Sequence, residues 1–147
     1  SQPAGTTVEI GHGLRARLSE ARARLFDLAD ADSKAYEEVG TARRSLKERP
    51  DDPARKEAWR VALERAAEVP LATASMAQEL IGALSEVRSQ TKPALESDLV
   101  SALALLAAAR DSALANVAIN VPDLKEAGGS TERFEHALAR LRSSGAP

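Results

Sequence analysis

From Leu14 to Leu46 apolar residues recur in alternating steps of four and three. The series is Leu14, Leu18, Ala21, Leu25, Leu28, Asp32, Ala35, Val39, Ala42 and Leu46, with Arg, Glu, Asp and Lys filling most positions between. That rhythm predicts one amphipathic helix of about nine turns. Arg49-Pro50-Asp51-Asp52-Pro53 stops it: Pro50 disfavours helical geometry at Arg49, Asp52 suits an N-cap, and Pro53 suits a first turn. A second helix follows on Trp59, Leu63, Ala66, Pro70, Thr73, Ala77, Leu80, Leu84 and Val87. Pro70 stands in mid-stripe, and the unshifted phase around it predicts a kinked helix rather than two separate ones. After the polar connection Ser89–Pro93, a third helix should run from about Glu96 or Asp98 to Ile119. Its segment from Leu99 to Ala109 is apolar nearly all round, which places it at the centre of a bundle or at a subunit interface. Pro122 should end it, Gly128-Gly129 should form a flexible hinge, and Ser130 should cap a short helix with Phe134, Leu138 and Leu141 on its apolar face. Frayed ends are expected at Ser1–His12 and Ser143–Pro147.

The fold class that follows is all-α: three long helices and a short C-terminal one in a single domain, with apolar faces that invite completion by dimerisation. Composition sharpens this. Of 147 residues, 44% are apolar but only 3% aromatic, so the core must be built from Leu, Val and Ala. Charged residues make up 29% and nearly cancel, leaving a net −2, which argues against a nucleic-acid footprint. The absence of Cys excludes disulfides and thiolate metal sites. No apolar run approaches the roughly 18–20 residues needed to span a bilayer, and no signal-peptide pattern opens the chain. The expectation is a cytoplasmic protein without membrane contact.

Three polar features break the apolar pattern. Asp32 occupies a seam position where Leu would serve stability better. A carboxylate at a helix interface is desolvated unless a cation compensates, and such a group suits general acid–base chemistry. It could equally fix helix register, or remain wet if the stripe rotates. Asp30 lies on a different face. Asn116 and Asn120, four apart near the end of the third helix, can present two amides to a ligand or simply mark helix termination. Ser97-Asp98 reads as an N-cap, or as a carboxylate that orients a ligand amine. His12 and His136 are the only histidines, both near the chain ends, which makes a metal-dependent hydrolase or a Ser-His-Asp triad an unsuitable reading. No metal or organic cofactor is expected.

Four blocks occur in order: Leu28-Ala29-Asp30-Ala31-Asp32-Ser33-Lys34-Ala35-Tyr36, Ala66-Ala67-Glu68-Val69-Pro70-Leu71, Ser97-Asp98-Leu99-Val100-Ser101-Ala102 and Asn116-Val117-Ala118-Ile119-Asn120-Val121. Through them the chain resembles the cyclodeaminase domain of formimidoyltransferase-cyclodeaminase and the related bacterial methenyltetrahydrofolate cyclohydrolases, over roughly Leu14 to Leu124. The resemblance implies an all-helical homodimer that binds folate near the subunit interface. It implies a catalytic Asp32, with Asp98, Asn116 and Asn120 orienting the pterin and a tetrahydrofolate derivative as substrate. The family also opens with a Pro-Gly-Gly-Gly-Ser-type loop and an Ala-rich helix. Pro3-Ala4-Gly5-Thr6-Thr7 is a faint echo of the loop, the opening helix is missing, and Lys92-Pro93 stand where relatives often carry Gly-Asn. The expected function is therefore a folate one-carbon enzyme, cyclodeaminase or cyclohydrolase. The alternative is a catalytically silent helical module for dimerisation or folate binding.

Overall fold

The computed structural model describes residues 7–143, with side chains from residue 13 onward. It is all-α: α1 spans Thr7–Glu48, α2 Pro53–Glu86, α3 Glu96–Glu126 and α4 Glu132–Ser143, with no strand among the described residues. Two short 3-10 turns, Arg88–Gln90 and Pro93–Leu95, fill the connection between α2 and α3. The fraying expected at the ends meets the described residues only at Thr7–His12, which already belong to α1, and at Ser143, which closes α4. The rest of both ends lies outside the described residues.

The first connection forms as its residues dictate. Asp52 accepts from the backbone N–H of Ala54 at 2.9 Å and of Arg55 at 3.4 Å, and Pro53 opens α2. Arg55 reaches back to donate to the Ser45 carbonyl and to Glu48, 2.9 Å away, closing the C-terminal end of α1. A cation on exposed carbonyls at a helix C-terminus is favoured by the helix dipole.

Every seam position of α1 is at least half-buried, but only Ala35 is fully so. The reason is the layout. Both α1 and α3 pack along α2 and barely meet each other. The central helix is thus α2, buried on two faces through Ala62, Leu63, Ala66, Ala67, Ala74 and Ala77. Of the two places expected for the apolar α3, the centre of the bundle and a subunit interface, the first is therefore taken by α2. In α3 one seam is buried, while Val100, Leu105 and Ile119 stay 46%, 72% and 71% exposed. By length and composition the stretch Pro93–Glu126 could even cross a membrane, with 22% of its most apolar window buried.

The ends of α3 also differ from expectation. No side chain caps its start: Leu95 occupies the N-cap position, and Asp98 lies in the first turn with Glu96, where the positive end of the helix dipole favours acids. At the other end α3 passes through Pro122 and stops four residues later. Fully buried Leu124 holds this last turn against the core cluster that includes Phe134, so packing overrides the missing donor. Gly128 and Gly129 form a closed turn rather than a hinge. Gly128 N–H donates to the Lys125 carbonyl and Gly129 N–H to that of Leu124, at 3.0 and 2.9 Å. That pairing is the Schellman cap, and Gly128, at φ +79°, supplies its left-handed residue. A Cβ on Gly129 would lie 2.3 Å from Leu124 Cδ1, so the second glycine is required by close approach.

Helix α4 starts one residue later than Ser130 suggests. Thr131 precedes it, with its carbonyl accepting from Phe134 and Glu135 and its hydroxyl donating to Glu135. Phe134, Leu138 and Leu141 are buried, each contributing about 2 kcal/mol as an upper estimate. Arg133 pins the helix to α2 through Glu64 and Glu68 while its guanidinium sits 4.4 Å above the Phe134 ring.

Candidate functional site

Because α1 and α3 flank α2 without closing on each other, a cleft opens between them with α2 as its floor. It has a volume of about 220 Å³. Asp32 projects from the α1 wall above Leu25 and Leu28. Pro70 and Thr73 form the floor, and Ser112 and Asn116 stand on the α3 wall. Three of the four sequence blocks therefore meet here: the Asp-Ala-Asp segment, the mid-helix proline and the first asparagine.

Asp32 is half-buried and has no cationic partner among the described residues. The stripe does carry it toward α2, yet it ends on an open wall and not inside a closed interface. Asp30, two positions away, is exposed outside the cleft. Among the described residues no charged group other than Asp32 lines the cleft, so a ligand there would meet one carboxylate among an amide, hydroxyls and apolar surface.

Pro70 explains Asn120. Lacking an N–H, the proline leaves the Ala66 carbonyl without its helical donor. Asn120 Nδ2 donates to that carbonyl at 3.1 Å and to the backbone carbonyl of Asn116 at 2.9 Å. Both amide hydrogens are thus engaged, and only the carbonyl oxygen of Asn120 remains for a ligand. The neighbouring Asn116 side chain is exposed on the cleft wall and has no such commitment. Helix α2 accordingly runs unbroken from Pro53 to Glu86. Asp98 is exposed at the far end of α3, eighteen residues from Asn116, roughly 27 Å along the axis at about 1.5 Å per residue. Within one subunit it does not reach the cleft.

Arg110 escaped the reading of the sequence. It is 5% exposed in the α3 seam, donating to Gln78 Oε1 at 2.8 Å and to Asp111 at 2.9 Å. The signal was available: Arg110, Ala113 or Leu114, and Val117 share the spacing of a buried stripe, so a cation stood at a core position. Of the cleft hydroxyls, Thr73 stood in the apolar stripe of α2 and was passed over, while Ser112 carried no such mark, because single hydroxyl residues on Ala-rich helices are commonplace.

Fold and cleft together define an all-helical domain with a lone carboxylate and an amide on facing walls, across a proline-bearing central helix. A family model, formiminotransferase-cyclodeaminase, matches residues 8–137. That span covers most of the chain, and the chain belongs to this family. No curated protein matches it.

Proposed function

We propose that the chain is a folate one-carbon enzyme, a formiminotetrahydrofolate cyclodeaminase or a methenyltetrahydrofolate cyclohydrolase, with Asp32 as its acid–base group. The observation that carries this is the meeting of Asp32, Pro70 and Asn116 at one cleft in a chain of this family. In cyclodeamination the aryl nitrogen N10 attacks the formimino carbon to give a tetrahedral centre. Ammonia then leaves, and protonated Asp32 donates to the departing nitrogen. In the cyclohydrolase reaction water adds to the methenyl carbon, ionised Asp32 accepts its proton, and one C–N bond opens to leave a formyl group. Either step needs one carboxyl within hydrogen-bond reach of the one-carbon bridge. The methenyl carbon is already electrophilic, so neither needs a metal or redox cofactor. Asn116 would orient the pterin.

The working unit we infer is a homodimer. Phe26 at 67% and Tyr36 at 81% exposure on α1, with Leu105 and Ile119 on α3, leave more apolar surface than a monomer usually shows to water. Asp111, 62% exposed on α3, would be costly in hydrocarbon, so we assign the apolar surface of α3 to protein contact. A second copy is also the route by which Asp98 could join a folate at the cleft. Light scattering should give the mass of a dimer at micromolar concentration; a monomer would count against both the interface and an interfacial site.

Turnover of formimino- or methenyltetrahydrofolate, followed by ultraviolet absorbance, tests the activity. The silent-module reading draws on the openness around Asp32, where nothing among the described residues of one subunit excludes water. Folate binding without turnover would establish it.

A further inference from the structure

The cleft at Asp32 continues along α1. Leu25 and Ala29 also line an apolar depression of about 400 Å³, where Phe26 and Arg22 join them. Leu18 and Arg22 in turn line a further depression, about 390 Å³, that includes Arg15. One trough therefore runs from a carboxylate, across an apolar stretch, to two guanidinium groups seven residues apart. Arg22 and Arg15 have no carboxylate partner among the described residues; Arg17 and Arg24 share that state but line a different depression, so only Arg22 and Arg15 present free guanidinium groups to this trough. Ten residues separate Asp32 from Arg22, roughly 15 Å along the helix at about 1.5 Å per residue.

Such a trough fits an elongated ligand with its reacting centre at one end, a ring in the middle and negative charge at the other. We propose that Arg22, supported by Arg15, binds the glutamate carboxylates of the folate whose one-carbon bridge lies at Asp32. This rests on the folate reading above. The benzoyl ring of that folate, bonded directly to the bridge nitrogen, lies over Leu25, Phe26 and Ala29, and the glutamate follows one ring and one amide from the bridge. The long, flexible Arg22 side chain covers the remaining distance. A guanidinium can take a carboxylate through two parallel N–H donors, which favours Arg over Lys at such a site. The contact lies far from the reacting carbon, so it holds ground state and transition state equally and acts on binding alone.

The test is steady-state kinetics of Arg22→Gln with a tetrahydrofolate substrate bearing one glutamate. KM should rise roughly tenfold with kcat unchanged, the pattern of lost uniform binding. Arg22→Lys should recover part of the loss, and Arg15→Gln should show a smaller rise. Arg142→Gln, an exposed charge change on α4, should do nothing. With the tail carboxylates masked as esters, wild type and Arg22→Gln should behave alike. An unchanged KM in Arg22→Gln beside an active wild type overturns the tail site and leaves the folate reading intact. So does a variant that shifts subunit dissociation without shifting KM, for the trough would then be a contact between copies. A wild type that neither binds nor turns over the substrate overturns both.

Discussion

Asp32→Asn is expected to lower turnover of methenyl- or formiminotetrahydrofolate about 100-fold or more, the usual loss when acid–base assistance disappears. Its thermal stability should hold or rise. Asn keeps the size of Asp32, and no cation or hydrogen-bond partner among the described residues depends on the lost charge. Functional groups often sit where they serve stability poorly, so removing one commonly stabilises. Asp30→Asn is the control: it makes the same change two residues away, on exposed surface outside the cleft, and should leave turnover near wild type. Thermal melts and turnover of both variants decide the matter. A structural carboxylate would show the opposite pattern, and an Asp32→Asn protein that melts early yet keeps full activity ends the catalytic assignment.

The second large effect belongs to Asn120. Asn120→Ala should lower the melting temperature by several degrees, because the buried Ala66 carbonyl loses the donor that replaces the one Pro70 lacks. An unsatisfied buried acceptor costs about 1–3 kcal/mol. Pro70→Ala restores a backbone N–H at position 70, able to donate to the same carbonyl. In that background Asn120→Ala should cost little. The two changes should therefore be non-additive by about 1 kcal/mol or more, well beyond the roughly 0.5 kcal/mol scatter of independent sites. Thermal or denaturant melts of the four proteins measure this coupling. Additive effects would mean that Ala66 finds its donor elsewhere. Pro70→Ala alone should keep the fold, and any change it makes to ligand binding reports on the floor of the cleft.

Much of this architecture was readable from spacing alone. Alternating steps of four and three located α1, which turns one seam toward α2, and α2, whose stripe lies within its wider buried surface; Asp52-Pro53 marked the start of α2 because capping is local chemistry. The misreadings came where distant packing decides. Pro122 looked terminal, but Leu124 two residues on is drawn into the core and carries the helix with it. Uniform apolarity placed α3 either at the centre or at a subunit interface, because it does not reveal which side of a helix its own chain covers. At the site, Asp32 and Asn116 were visible as polar breaks in apolar stripes. The commitment of Asn120 was not, since it depends on a carbonyl fifty-four residues away in sequence. Eighteen residues on one helix did set Asp98 far from Asn116, but spacing did not show which of the two would lie at the cleft.

The placement of α2 between its two sequence neighbours bears on how the chain reaches its native state. α1 meets α2 across a four-residue connection, and α2 meets α3 across the short segment of 3-10 turns. The dominant helix pairings are therefore hairpins between consecutive segments, the kind of local topology associated with rapid folding. The walls facing each other across the cleft need not find one another during that search. Side chains on that side can consequently be selected for chemistry with little penalty in foldability, as a lone carboxylate at a seam position requires.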